Sequence, residues 1–352
     1  MISSLRLENL RSIRSATLVL NPKINILEGE NGSGKTTILE GISMLSMGRS
    51  FITPRHKSLI RFGETKSTVY TSVKDKNNLP FHIGVSFEAN GARKIRLNSL
   101  NVKSQAAISR YLPCLTLAPS VTDIVSGSPI NRRRLMDWGV FHVEKAPIGL
   151  FTKFRRVLAQ RNAMLRNKID YSVLSSWNEQ FVELSMEIDK HRRMYVEKFV
   201  PLFIKHQRQL GISFELKIDY NRGWNEKKDL HDVLSECMES DISSRFSSAG
   251  PHKADLVIKR DGVLASDALS RGQLKVIYVA SVFAQLDTCA SNNLPVILID
   301  DLASELDKNS QSKVWSAVND CGAQCLITDL GGVDRYFSHQ KTMFHVKHGF
   351  VT

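Results

Sequence analysis

The 352-residue chain lacks any apolar run approaching the ~20 residues of a membrane span, which argues against a helical membrane protein. Its N-terminus lacks a continuous apolar segment. Arg6, Glu8, Arg11 and Arg14 interrupt alternating apolar positions there, so a first β-strand is expected and not a signal peptide. Cysteine is scarce: Cys114, Cys237, Cys289, Cys321 and Cys325, with no C-x-x-C pair. An odd count without a disulfide framework fits a reducing cytoplasm. Cys321 and Cys325 are read as core thiols over metal ligands. The ten histidines include no H-E-x-x-H arrangement, so no metal site of protein ligands alone is expected. Acidic side chains also run short, 35 Asp and Glu against 48 Lys and Arg. The resulting formal charge of +13 attracts polyanions, nucleic acid first and anionic membrane second. Otherwise the composition, 42% hydrophobic and 24% charged, is that of an ordinary soluble globular protein with length for two or three domains.

What is present is organised around Gly29, Glu30, Asn31, Gly32, Ser33, Gly34, Lys35 and Thr36, which fit G-x-x-x-x-G-K-[ST], the phosphate-binding P-loop. Lys23 to Glu28 alternates polar and apolar residues before it, as a half-buried strand does. From Thr37 onward, Ile38, Leu39, Ile42 and Leu45 recur at the spacing of one helix face. Strand, glycine loop and helix therefore come in the required order. Glycines let backbone N–H groups converge on phosphate oxygens, and a helix N-terminus adds positive potential. Lys35 would reach the β- and γ-phosphates and the Thr36 hydroxyl would ligate Mg2+. The motif says nucleoside triphosphate without saying which reaction.

Residues 1–120 read as the first half of a nucleotide domain, mostly β. Ser67–Val73, Phe81–Phe87 and Lys94–Leu97 are rich in β-branched and aromatic residues, with turn residues between them, and form an antiparallel elaboration. Arg11 lies on a turn close to the P-loop strand; it either touches the nucleotide or faces solvent. Residues 121–248 read as an inserted helical domain. Phe154, Val157 and Leu158, then Trp177, Phe181, Leu184 and Ile188, recur at helical spacing. Lys153, Arg155, Arg156, Arg161, Arg166 and Lys168 crowd one acid-free stretch, and Arg132, Arg133 and Arg134 form another basic run. Together, on a basic chain, they point to DNA or RNA contact.

Residues 249–352 return to α/β. Pro295 to Ile299 is an apolar strand ending in Asp300 and Asp301, the Walker B pattern. Asp300 would hold magnesium through water and Asp301 would orient or activate the attacking water. Upstream, Leu269-Ser270-Arg271-Gly272-Gln273 resembles the L-S-G-G-Q signature of ABC ATPases, with Arg271 in place of a glycine. In that family the signature serine and its helix N-terminus cap the γ-phosphate of the other subunit's ATP. Ser304-Glu305-Leu306-Asp307 matches the D-loop at the dimer seam. The fold class expected is α/β, an ABC/SMC-type P-loop ATPase head with an antiparallel elaboration and a helical insert.

With these motifs in hand, the chain resembles the RecF family, bacterial recombination mediators related to SMC heads. The resemblance spans essentially the whole length. It includes Gly127–Gly139, Gly250-Pro251-His252-Lys253-Ala254-Asp255 and the terminal Met343–Gly349. It implies an ATP-dependent homodimer that holds DNA at gapped single-strand/double-strand junctions. With RecO and RecR such a protein promotes RecA loading, supporting replication restart and the SOS response. Hydrolysis is implied to be slow and DNA-stimulated. The implied nucleotide contacts are Arg11, the loop from Gly29 through Thr36, Thr37, and Ser270, Gly272, Gln273 and Asp307 across the seam. The implied catalytic set is Lys35, Asp300, Asp301 and Ser270. ATP and Mg2+, the latter on Thr36 and Asp300, are the cofactors.

Departures stand out. Where the family commonly has an acid after the proline of Ala118-Pro119, this chain has Ser120, with Asp123 the nearby substitute. No histidine follows the last core strand, so a γ-phosphate sensor would be Thr328 or Asp329. No glutamine marks a Q-loop. A transporter ATPase subunit would share the motifs, but the helical insert, the missing switch histidine and the basic charge argue against it. ABC-type nucleases carry an extra acidic metal-binding domain, for which the chain has no acid cluster. A scaffold that binds ATP without hydrolysing it stays open, although Asp300 and Asp301 favour hydrolysis.

Overall fold

The alternating positions of the N-terminus form strands β1 (Ile2–Leu10) and β2 (Ile13–Val19), and the run before the glycine loop forms β3 (Ile24–Glu28). The computed structural model describes residues 1–53, 55–75, 78–102, 104–119, 124–167, 171–289, 294–302, 306–337 and 341–352, with backbone alone over 171–176. Ser120, Asp123, Lys168, Ser304 and Glu305 lie outside the described residues.

Helix α1 (Lys35–Met47) follows the loop and is buried on nearly all sides. Next come β4 (Lys66–Lys74), β5 (Pro80–Glu88), β6 (Arg93–Leu97), β7 (Leu100–Asn101), α2 (Gln105–Ser109) and β8 (Cys114–Leu117). A long helical stretch holds α3 (Pro129–His142), α4 (Leu150–Arg166) and α5 (Tyr171–Gln209). It gives way to β9 (Lys217–Asn221), α6 (Leu230–Glu236), α7 (Met238–Ser244), β10 (Asp255–Arg260) and β11 (Val263–Leu264). The chain closes with α8 (Ala265–Ala268), α9 (Arg271–Thr288), β12 (Val296–Ile299), α10 (Lys308–Asp320), β13 (Cys325–Asp329), β14 (Lys341–Lys347) and β15 (Phe350–Val351). None of the described helices is long and apolar enough to cross a membrane.

Two compact units result. One comprises Met1–Thr122, Lys205–Ile212 and Ser270–Thr352; the other comprises Asp123–Ile204 and Ser213–Leu269. The first unit holds two six-stranded sheets. One is antiparallel, in the order β2-β1-β4-β5-β6-β7. Alternation in β4 and β5 sends Val69, Val73, Ile83, Val85 and Phe87 into one core with Ile38, Leu39, Ile42 and Leu45 of α1. The other has the order β15-β14-β3-β13-β12-β8, parallel except at β15. Its central strands β12 and β13 are buried along their whole length, as parallel strands covered on both faces are.

Register in this sheet does the work of assembly. Ile299 pairs with Leu117 and Ile327, and Asp329 pairs with Glu28, which in turn pairs with His345. The carboxyl ends of β3, β12 and β13 therefore share one edge, where open α/β sheets place ligands.

In the second unit the expected all-helical reading needs a correction. Strand β9 interrupts it and pairs with β10, which pairs with β11, in a three-stranded antiparallel sheet. No local signal marks β9, because its residues are only half-buried and its partner comes a whole helical segment later. Pairing across the chain decides it.

Candidate functional site

The loop between β3 and α1 is shaped to expose donors. Gly34, the N-cap of α1, sits at φ 116°; no side chain caps the helix and no acid occupies its first turn. The first N–H groups of α1 and its positive end are thus left for an anion. Ser33 Oγ is buried without a hydrogen-bond partner among the described residues, an orphan suited to a phosphate oxygen. Lys35 is buried, and its Nζ donates to the carbonyls of Gly29 (2.5 Å) and Glu30 (2.9 Å). Burial lowers its pKa from the ordinary lysine value; Asp301, Asp300 and Asp329 oppose that shift.

Across the shared edge, Asp300 Oδ1 accepts from the Thr36 hydroxyl (2.8 Å) and the Thr328 hydroxyl (2.9 Å). Thr328 Oγ1 also accepts from the backbone N–H of Asp301 (2.9 Å), whose φ of 45° is left-handed. One hydroxyl therefore holds the Asp300 carboxylate and the Asp301 backbone together. Burial raises the Asp300 pKa, while its bonds to Thr36 and Thr328 hold it down. Asp329, the other sensor candidate, lines the same space and accepts from the N–H of Val333 (2.8 Å).

Thr36 and Asp300 fit a hard divalent cation. The Thr36 hydroxyl can enter a magnesium shell, and Asp300, 2.8 Å from it, can accept from a water of that shell. Among the described residues no group of three His, Cys, Asp or Glu side chains could hold a metal. The rest of such a shell would come from phosphate oxygens and water, as magnesium prefers.

These groups surround a cavity of about 520 Å³. Its walls include Arg11, Asn31, Gly32, Ser33, Gly34, Lys35, Thr36, Thr37, Asp300 and Asp301 from the expected set, with Ser12, Ile52, Pro119, Thr328, Asp329 and Leu330. Gly29 and Glu30 are not in the lining and accept from Lys35 through their carbonyls. Ser270, Gly272, Gln273 and Asp307 are not in the lining. Ser270 caps α9 in a capping box: its N–H donates to Gln273 Oε1 (3.0 Å) and its Oγ accepts from the Gln273 N–H (3.3 Å). The hydroxyl proton stays available to a further acceptor. Gly272 is exposed, with nothing within 4 Å of an added Cβ. Asp307 caps α10, accepting from the N–H groups of Asn309 and Ser310 (3.0 Å each) and from the Ser310 hydroxyl (2.6 Å).

Arg11 is not a free solvent arginine on its turn but is held against the helix that follows the loop. It lines the cavity, and its Nη2 donates to Glu40 Oε1 at 2.7 Å. Glu40 is 1% exposed, and burial raises its pKa. The Ser50 hydroxyl donates to the same Glu40 oxygen (2.5 Å) and accepts from the N–H groups of Ile52 and Thr53. Glu40 and Ser50 thus tie two cavity walls to α1. Sequence reasoning missed both; the available signal was a carboxylate flanked by Leu39 and Ile42 on a buried helix.

The basic runs need correcting. Arg161 is fully buried in the second unit, bonded to Asp241 (2.9 Å), Ser247 (2.5 Å) and Asn178 (3.2 Å). Arg132 forms a bidentate pair with Asp255 (2.7 and 3.0 Å) and reaches the Gly127 carbonyl, while Arg133 donates to the Ala254 carbonyl. These arginines join the Gly127–Gly139 segment to the Gly250–Asp255 segment. Lys153, Arg155, Arg156 and Arg166 of α4, and Arg134, remain exposed.

Known proteins resemble this chain in sequence and in fold. The RecF/RecN/SMC N terminal domain family matches residues 1–348. The DNA replication and repair protein RecF of Psychromonas ingrahamii is 36% identical over 100% of this chain and 99% of its own length. The solved structure of the recombination mediator protein RecF-ATP in the RecFOR pathway superposes with a TM-score of 0.90 at 24% identity, covering 100% of this chain and 96% of that one. An Smc head domain from Pyrococcus furiosus shares the fold at a TM-score of 0.62 and 16% identity, covering 100% and 95% of the two chains.

Proposed function

The chain belongs to the RecF family, and from that premise we propose that it is an ATP-dependent DNA clamp of recombinational repair. ATP drives two copies together, and the dimer binds gapped single-strand/double-strand junctions. In the cytoplasm, with RecO and RecR, it promotes RecA loading and so supports replication restart and SOS induction. One observation carries the dimer reading. Lys35, Thr36, Asp300 and Asp301 converge on one cavity whose lining excludes Ser270, Gly272, Gln273 and Asp307. Those residues can serve a nucleotide only if another subunit brings them to it.

The roles follow from the chemistry. Lys35 and the N–H groups of the loop bind and orient the β- and γ-phosphates. Thr36 and Asp300 would hold magnesium, which would neutralise charge at those phosphates. Thr328 keeps Asp300 and Asp301 aligned, so that Asp301 can orient an attacking water. The Ser270 hydroxyl donates a hydrogen bond to the γ-phosphate of the ATP held by the opposite subunit. ATP then shifts the monomer–dimer balance only by its preference for the closed state. Hydrolysis, slow and DNA-stimulated, resets the clamp.

Light scattering with Mg-ATP and with Mg-ADP, each with and without gapped duplex, tests this. ATP but not ADP doubles the mass and tightens DNA binding. A mass indifferent to nucleotide refutes the clamp. Ser270→Arg leaves the affinity for ATP intact and abolishes the mass increase; a normal ATP-dependent dimer from that variant would overturn the composite site. For DNA, log affinity falls with log salt by roughly 0.9 per phosphate contacted. Replacing Arg155 and Arg156 of α4 by Ala flattens that slope by about one for every phosphate the variant no longer touches. An unchanged slope excludes this face as the DNA contact.

A further inference from the structure

We infer that the C-terminal hairpin, β14 and β15 with their turn, is a working part of the nucleotide site that aims one backbone donor of the P-loop. The inference rests on the nucleotide reading above. The Met343–Gly349 segment stands out in the sequence, yet none of its residues lines the cavity.

Its placement explains it. Strand β14 runs parallel to β3 with His345 opposite Glu28, so the next residue, Val346, meets the start of the glycine loop. A Cβ on Gly29 would lie 2.2 Å from the Val346 carbonyl oxygen, a backbone atom that cannot swing aside. The chain then reverses through His348 (φ 48°) and Gly349 (φ 81°), and Lys347 pairs with Phe350. Two successive left-handed residues are the signature of a tight hairpin turn. The N–H of Gly349 donates to the Ser33 carbonyl at 2.8 Å. A Cβ on Gly349 would lie 2.2 Å from the Ser12 carbonyl oxygen, again backbone. The turn is thus wedged between Ser12 and the end of the loop.

The bond to Ser33 has a chemical consequence. The Ser33–Gly34 peptide is planar and trans, so its C=O and N–H point in opposite directions. Anchoring the carbonyl to the hairpin turns the Gly34 N–H away from it. Gly34 belongs to the cavity wall, and this N–H is a donor for phosphate. Left alone, the peptide could rotate and present its carbonyl to the anion. Gly349 is therefore a positioning residue for a phosphate contact made by Gly34.

Gly349→Ala tests it by nucleotide titration and by amide spectra of protein labelled with 15N-glycine. Misaiming a hydrogen bond to a charged group raises Kd by about ten- to a hundredfold, for Mg-ATP and Mg-ADP alike. Mg-ADP also shifts the Gly34 amide proton downfield in the wild type and not in the variant. Gly63→Ala is the control, since Gly63 is left-handed (φ 83°) with nothing within 4 Å of an added Cβ; it keeps wild-type affinity. An unchanged Kd in folded Gly349→Ala overturns the inference. If that variant does not fold, hydrogen exchange of the wild type decides. Coupling is reciprocal, so Mg-ADP slows exchange of the Gly349 amide, and an unaltered rate overturns the inference. A wild type that binds neither nucleotide defeats the nucleotide reading instead.

Discussion

Lys35→Ala eliminates ATP-driven dimerisation. The ammonium is buried beside the loop carbonyls and balances Asp300, Asp301 and Asp329. Without it, a polyphosphate enters a cavity holding three carboxylates and loses the one lysine that lines it among the described residues. Truncating one side of a hydrogen-bonded charge pair costs roughly 2–5 kcal/mol, about thirty- to several-thousandfold in Kd. Calorimetry reads the affinity and light scattering reads the mass. At ATP concentrations that saturate the wild type, the variant stays at the monomer mass. The contrast with Ser270→Arg is diagnostic. That change leaves binding intact and removes only the dimer, whereas Lys35→Ala removes both. Dimerisation of Lys35→Ala with ATP would show that the loop lysine does not hold the nucleotide.

Arg161→Ala produces a large loss of stability. Arg161 and Asp241 are both 0% exposed and 2.9 Å apart, with Ser247 and Asn178 also bonded to the guanidinium and the Phe181 ring 5.6 Å from its central carbon. Removing one partner leaves the other charge buried and uncompensated, which costs roughly 3–5 kcal/mol. Typical domains have only about 5–15 kcal/mol in total. Urea unfolding of the variant should therefore begin at far lower denaturant. Replacing both, Arg161→Met with Asp241→Leu, recovers part of the loss, because no lone charge remains. Recovery is incomplete, since Asp241 also accepts from the N–H of Ser248 (2.9 Å). The nucleotide cavity is lined entirely by the first unit and keeps its affinity. A urea midpoint unchanged by Arg161→Ala would mean that the buried pair contributes nothing.

The two results differ in how visible they are beforehand. Lys35 announces itself because strand, loop and helix are contiguous and each has a local signature. Arg161 does not. It sits in an acid-free basic stretch beside Arg155, Arg156 and Arg166, and linear composition treats the four alike. The helix face separates them. Arg161 shares the buried stripe with Phe154, Val157 and Leu165, whereas its neighbours point outward. Even that spacing cannot supply the acid it needs, which arrives from α7. Arg132 hides its role for the same reason: its partner Asp255 lies beyond the whole helical segment.

The motifs were legible in the residues alone: a phosphate loop opening a helix, two acids ending an apolar strand, a signature-like motif, and the family. Those features depend on backbone conformation and on residues a few positions apart, so their physics is local. Which groups meet was settled by packing. Parallel register of β3, β12 and β13 brought Thr36 and Thr328 within hydrogen-bond distance of Asp300. Burial put Glu40 beneath Arg11 and took Arg161 and Arg132 away from solvent. The turn at Gly349 closed on Ser33. Each of these pairings joins residues far apart in the chain. A buried charge or a pinned carbonyl has meaning only beside its partner, and partners are assigned by strand order and packing, which no short window of residues encodes.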